Sequence, residues 1–336
     1  MREELLYKMQ NAFPLTERPF AELARELGRS EEEVLEMVRE LKKQGIIRQT
    51  SAIFDTKRLG YHSSLVAFKV PEAKIEEAAE IINAHPGVSH NYLRNHDFNL
   101  WFTLAVPPDS HLGLQGTINL LQRLTGAEEA IALPTLKMFK ISVKLDTTGK
   151  QSKKEKVHRR EFKPIKMKAR HYAVIRELQK DIPIVSEPFR EATQRLNMSH
   201  EELFGMAEQL REAGVMRRFA TILNHRKAGF TANAMSVWNV PEERAEELGK
   251  QIAEFRAVSH CYLRPKYPNW PYNLFAMVHA TSQDACDDVI EEIARETGLT
   301  DYGKLYSTRE FKKQRLVYFD PAFERWESEN MEYVFE

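Results

Sequence analysis

The sequence is poor in the features that settle a protein's chemistry at a glance. It holds only two cysteines, Cys261 and Cys286, and no CxxC pair, which argues against a disulfide framework or a cysteine zinc site and points to a reducing compartment. Charge of either sign is not in surplus: 49 Lys and Arg face 49 Asp and Glu, so global electrostatics singles out neither nucleic acid nor a membrane surface. No apolar run approaches the roughly 18 residues of a spanning helix. The opening "MREELLYKMQNAF" carries charge where a signal peptide needs an apolar core. A cytoplasmic protein without membrane contact is expected. P-loop, GxGxxG, HExxH and GxSxG patterns are missing too, which removes the usual nucleotide, zinc-protease and hydrolase readings.

What the chain does have is repetition. Its 336 residues exceed a typical single domain. The stretch "PFAELARELGRSEEEVLEMVRELKKQGIIRQTSAIFDTKRLGY" (19–61) aligns without gaps on "PFREATQRLNMSHEELFGMAEQLREAGVMRRFATILNHRKAGF" (188–230), an offset of 169 that pairs Phe20 with Phe189, Gly45 with Gly214 and Gly60 with Gly229. Further on, "SHNYLRNHDFNLW" (89–101) returns as "SHCYLRPKYPNWPYNLF" (259–275). The offset becomes 170 at His90 and His260, 174 at Asn99 and Asn273, and 172 at Phe139 and Phe311, so the elements persist while the loops differ. Duplication followed by divergence explains this most simply.

Each copy follows one plan. Ala21, Leu23, Ala24 and Leu27, then Val34, Leu35, Val38 and Leu41, recur at helical spacing. Ser30 and Ser199 stand as N-caps before acidic first turns. Gly28 marks a turn between two helices, Gly45 ends the second, and "IIRQTSAIF" reads as an extended wing. After Gly60 come a strand "HSSLVAFKV", a helix "KIEEAAEIINAHP", two strands "VSHNYLR" and "NLWFTLAV", a helix "HLGLQGTINLLQRLT" and a closing strand "LKMFKISVKL". That βαββαβ order is ferredoxin-like. Residues 147–170 hold ten Lys or Arg against two Glu and read as a solvated linker. The expected segments are winged helix 1 (1–60), ferredoxin-like domain 1 (61–146), a basic linker (147–168), winged helix 2 (169–229) and ferredoxin-like domain 2 (230–336).

A winged helix followed by a βαββαβ unit resembles the Lrp/AsnC transcription regulators, whose second module binds effectors and dimerises; the resemblance covers nearly the whole chain. It implies an α+β fold, a tandem repeat of winged helix-turn-helix plus ferredoxin-like domain. DNA binding is not expected. The helix from Ser30 to Gln44 has five acids against three bases, and that from Ser199 to Ala213 four against one. A reading helix of that charge would meet phosphates with repulsion.

The HNYLR and HCYLR signatures, with "FNLWF" and "YNLFAMVHA" behind them and "GVMRRF" ahead, resemble the siroheme decarboxylases of alternative haem biosynthesis. Those are Lrp/AsnC-like pairs, and this chain looks like both partners fused into an internal pseudo-dimer, with further homo-oligomerisation left open. The resemblance implies loss of two acetate carboxyls of siroheme, at C12 and C18, as carbon dioxide to give 12,18-didecarboxysiroheme. No cofactor is implied beyond the iron of the substrate.

A flat, iron-bearing macrocycle rimmed with carboxylates asks for apolar faces and forked cations. On a strand, His90, Tyr92 and Arg94 share one face, as do His260, Tyr262 and Arg264. Arg48, Arg217 and Arg218 fall where helix meets wing and are either further candidates for rim carboxylates or ordinary solvated arginines. Loss of carbon dioxide leaves carbanion character on a methylene that an acid must protonate, and histidine suits that near neutral pH. His90, His96 and His260 are therefore expected as proton donors or as an axial ligand to the substrate's iron, with the assignment among them open. Taken singly, each is most simply a hydrogen-bonded structural histidine; the repetition raises His90 and His260. His96 has no counterpart in the second copy. There, Tyr267, Trp270 and Tyr272 alternate with prolines as a stiff segment whose rings either cover a macrocycle face or pack as a rigid hairpin on their own sheet. His62, His85, His111 and His279 lack a repeated polar neighbourhood and read as structural or exposed. Two rival readings remain: a regulator sensing a tetrapyrrole, and a noncatalytic tetrapyrrole carrier.

Overall fold

The computed structural model describes residues 2–141, 162–224 and 232–334. They form two compact units, one of residues 1–60, 160–229 and 317–319, the other of residues 61–159, 230–316 and 320–336. Most of the expected basic linker, 147–161, lies outside the described residues.

In the first unit, α1 (Arg2–Asn11), α2 (Pro19–Leu27), α3 (Glu31–Lys43) and β1 (Ile47–Phe54) are followed in the second copy by α6 (Ala169–Leu178), α7 (Arg190–Leu196), α8 (His200–Glu212) and β7 (Met216–Leu223). Ser30 and Ser199 each build a full capping box, with Glu33 and Glu202, which satisfies otherwise orphaned amides of the first turn. The apolar stripe read from the sequence is the buried one: Leu23, Ala24, Val34, Leu35, Val38 and Leu41. Gly28, at φ 64°, turns α2 into α3 in a conformation a side chain would strain. Neither wing is complete within its own copy. β1 pairs antiparallel with β7, with Thr50 opposite Thr221 and their hydroxyls 2.8 Å apart in the buried centre.

The second unit holds, in the first copy, β2 (His62–Lys69), α4 (Ile75–Ala84), β3 (Val88–Arg94), β4 (Leu100–Val106), α5 (Gly113–Thr125), β5 (Glu129–Leu133) and β6 (Lys137–Ile141). The second copy supplies β8 (Ala232–Trp238), α9 (Ala245–Glu254), β9 (Val258–Leu263), β10 (Leu274–Ala280), α10 (Gln283–Thr297), β11 (Tyr302–Lys313) and α11 (Ala322–Asn330). Strand order in the sheet is β5-β2-β4-β3-β11-β8-β10-β9-β6. The strand closing the first βαββαβ unit is therefore β5, not the later "LKMFKISVKL" stretch. Its described part, β6, crosses to pair with β9 of the other copy. β11 does both jobs at once, its first half on β8 and its second on β3. Pro134, which breaks β5 from β6, has Tyr306 as its counterpart inside the continuous β11; a proline has no amide to give a ladder. The two copies thus exchange carboxy-terminal arms.

Helices cover one face of this sheet and form two cores, one centred on each copy, with Phe139 of the first copy entering the second core and Trp326 of the second entering the first. The opposite faces meet in a third core that mixes the copies: Ala67, Trp101, Ile131 and Leu133 with Met235, Val237, Trp270 and Phe275. A cation fastens each crossing arm, buried in one and half-buried in the other. Lys140 donates to the Phe255 carbonyl at 3.0 Å, and Lys312, its counterpart, to the Asn83 carbonyl at 2.8 Å.

Candidate functional site

β3 and β9 carry the repeated signature, and their side chains alternate as a strand requires. Asn91 reaches α4, its amide donating to Asn83 at 3.0 Å, while Cys261 lies 3.7 Å from the Gly249 carbonyl of α9. The opposite face therefore carries His90, Tyr92 and Arg94 in one copy and His260, Tyr262 and Arg264 in the other. Ring centroids are 6.2 Å apart for His90 and Tyr92 and 6.0 Å for His260 and Tyr262. The guanidinium carbon of Arg94 stands 5.5 Å from the Tyr92 ring centre, and that of Arg264 4.8 Å from Tyr262. The structure brings each expected trio together, twice.

Both arginines sit deeper than rim anchors would. Arg94 is 6% exposed and donates to the Leu305 carbonyl at 3.1 Å; Arg264 is 9% exposed and donates to the Leu133 carbonyl. Leu133 and Leu305 are equivalent positions on β5 and the first half of β11, so each arginine reaches the other copy. Burial brings both guanidiniums down to about 10, the neighbouring tyrosine opposing it in each case. Among the described residues neither arginine pairs with a carboxylate, and each Nε is buried without a partner.

The histidines differ in their hydrogen bonding. His90 Nδ1 lies 2.9 Å from Ser89 Oγ, which is 2.6 Å from Thr103 Oγ1. His260 Nδ1 lies 2.7 Å from Ser259 Oγ, which is 2.7 Å from His279 Nε2. His96 accepts the Phe98 amide at Nδ1, 3.0 Å away. Its neutral form therefore carries the proton on Nε2. Burial, opposed by Asp97, holds the His96 pKa below the usual histidine value. His279, set aside from sequence as structural or exposed, is thus a partner of the His260 network. Only strand register reveals that contact, because the two residues are separated in sequence and on neighbouring strands.

Trp270 packs on its own sheet, the second of the two readings open to that segment. It is fully buried, 5.1 Å from His96, 5.2 Å from Trp101 and 6.1 Å from Phe275 between ring centroids. The reason is local: Tyr267 and Trp270 exchange backbone hydrogen bonds of 2.8 and 2.9 Å, and this tight turn folds the indole into the mixed core. Tyr267 and Tyr272 stay half-buried. Arg48, Arg217 and Arg218 belong to the helix-turn-helix unit. Arg48 is exposed, Arg217 pairs with Asp55 at 2.8 Å, and burial lowers the pKa of Arg218. No group of three or more His, Cys, Asp or Glu able to hold a metal ion occurs among the described residues, and no described helix is long and apolar enough to cross a membrane.

Comparison with known proteins agrees with this architecture. Residues 58–140 and 227–312 match the AsnC-like ligand binding domain, and residues 2–48 and 172–217 match the siroheme decarboxylase NirDL-like HTH domain. A siroheme decarboxylase of Hydrogenobacter thermophilus is 44% identical over 96% of both chains. The siroheme decarboxylase beta subunit of Methanosarcina barkeri is 46% identical over 42% of this chain and 92% of its own length, so a single copy of the repeat makes up a whole subunit there. The crystal structure of the siroheme decarboxylase NirDL in co-complex with an iron-uroporphyrin III analogue superposes with a TM-score of 0.79 at 38% identity, over 99% of this chain and all of that one. This chain, with its two exchanged copies and duplicated histidine strand, belongs to the siroheme decarboxylases, a family of carboxy-lyases.

Proposed function

We propose that the chain decarboxylates siroheme, taking the acetate carboxyls at C12 and C18 as carbon dioxide and leaving 12,18-didecarboxysiroheme. The observation that carries this reading is the doubled His-X-Tyr-X-Arg face, one in each copy, within a chain related along its whole length to siroheme decarboxylases. Two cations without acid partners, Arg94 and Arg264, give a low-dielectric interior a positive potential suited to a polycarboxylate. Tyr92 and Tyr262 stand beside them as hydroxyl donors. Trp270 supports the site from behind by packing on His96.

The three histidines take different roles. His90, its Nδ1 2.9 Å from the Ser89 hydroxyl, is the candidate ligand to the substrate's iron, oriented by a hydroxyl as metal-binding imidazoles commonly are. His96, with Nδ1 committed as an acceptor, offers an N–H from Nε2 and acts as a donor. His260 acts as the acid that protonates the methylene. The helices α3 and α8 keep acidic first turns and are assigned no DNA-reading role.

The test is anaerobic incubation with siroheme and mass spectrometry of the extracted tetrapyrrole, with H90A, H96A and H260A alongside. Loss of one and then two carbon dioxide masses is expected. H260A should bind siroheme without decarboxylating it, and H90A should alter the optical spectrum of the bound iron. Tight binding with unchanged mass in the wild type refutes the enzyme and favours a carrier or sensor.

A further inference from the structure

The two copies solve one local problem in different ways. Each must satisfy the serine hydroxyl that precedes the strand histidine. In the first copy Thr103, opposite His90 on β4, does so. In the second copy the residue opposite His260 is Met277, which has no hydroxyl. His279, two residues further along β10, fills the role, whereas the corresponding position of the first copy is Ala105. The pair Thr103 and Ala105 has therefore become Met277 and His279. The first copy ends its chain in a hydroxyl that holds no spare proton near neutral pH. The second ends in an imidazole that does.

Each decarboxylation consumes a proton: R–CH2–COO⁻ and H⁺ give R–CH3 and CO2. Resting on the reading above, we propose that His279 is the proton-relay residue of the second copy, recharging His260 through Ser259, and that the first copy has no equivalent. The carbon–carbon bond breaks with its electron pair left on the methylene carbon, which takes the proton of His260 Nε2. Ser259 passes its hydroxyl proton to His260 Nδ1 and receives the proton of His279 Nε2. The His279 imidazolium ends neutral and regains a proton from solvent, while His260 ends as its Nδ1–H tautomer and returns to the Nε2–H form between the two decarboxylations; no oxidant or reductant enters. Ser259 is 6% exposed, so within this chain the proton moves along fixed hydrogen bonds and not through bulk water. The strands flanking His279 present Ser259 and His260 on β9 and the uncharged Asn233 on β8. His279 is a positioning and relay residue; His260 is the group that meets substrate.

The decisive comparison is H279A against the double variant M277T/H279A, in the full chain with siroheme. The double variant recreates the first copy's arrangement, giving Ser259 a hydroxyl partner that cannot titrate. The relay predicts that kcat falls at least tenfold in H279A with KM within about twofold, that added imidazole restores part of the rate, and that the double variant stays slow. Wild-type turnover in either variant overturns the relay, and recovery in the double variant alone reduces His279 to a structural partner. Circular dichroism confirms folding, and H279Q, which keeps a hydrogen-bonding group, replaces H279A if the latter unfolds. Histidine side-chain NMR on the same proteins separates this idea from the decarboxylase reading. Coupled titration of His260 and His279 in a wild type that releases no carbon dioxide overturns the reading and keeps the relay, and independent titration overturns the relay.

Discussion

His85 gives the most quantitative handle on the second unit. It is 2% exposed, accepts the Gly87 amide at Nδ1 over 2.9 Å, and lies with its ring 4.3 Å from Trp326. Burial, reinforced by Lys312, pushes its pKa down to about 3. The folded state thus prefers neutral His85, while the unfolded chain protonates it near the ordinary histidine value of about 6.5. The unfolded state binds more protons below that value, so stability is fully present above about pH 6.5 and declines as pH falls toward 3. The slope is about 1.4 kcal/mol for each pH unit inside the window. Over the window this amounts to roughly 4 to 5 kcal/mol, a large share of a domain's typical 5–15 kcal/mol. The second copy suggests the replacement, since Phe255 occupies the equivalent position. H85F should remove about one proton's worth of slope between pH 6.5 and 4. A constant offset from repacking against Trp326 leaves that slope untouched. All four tryptophans, Trp101, Trp238, Trp270 and Trp326, lie in the second unit, so urea titrations followed by tryptophan fluorescence report on it selectively. Parallel pH dependences for wild type and H85F would refute the argument.

Two further outcomes follow from the exchanged arms. A Cβ on Gly249 would come within 2.4 Å of the Phe139 ring, so G249A should shift β6, destabilise the second unit by about 1–3 kcal/mol and raise hydrogen exchange selectively along β6 and β9. R264M removes a buried charge that has no carboxylate partner among the described residues but also orphans the Leu133 carbonyl. The first gain is several kcal/mol and the second a loss of about 1–3, so thermal stability should hold or rise while siroheme affinity falls at least tenfold; destabilisation beyond about 3 kcal/mol would make Arg264 a structural latch alone.

Much of this was legible in the sequence where spacing is the physics. The buried stripe of α2 and α3, the serine caps, and the shared face of His90, Tyr92 and Arg94 follow from periods of 3.6 and 2. Partner choice was not legible. Nothing in "LKMFKISVKL" says that its strand belongs to the other copy, because alternation fixes which face a residue takes and not which neighbour it pairs with. α1 and α6 were overlooked although the same offset of 169 pairs Leu5 with Val174 and Met9 with Leu178, all four buried. Trp270 reads as a presented ring until the backbone turn at Tyr267 is known, and His279 acquires meaning only through Ser259.

β5 and β6 stand at opposite ends of the strand order yet are consecutive in the chain, separated by Pro134, Thr135 and Leu136. Neither copy can complete its hydrogen-bonded ladder alone, and covalent linkage makes the missing partner available at fixed one-to-one stoichiometry whatever the protein concentration. Dilution cannot part the copies, and identical copies do not compete to pair within the chain. Freed from any need to recognise themselves, the two sequences can drift apart, as Met277 and His279 have from Thr103 and Ala105, without losing each other.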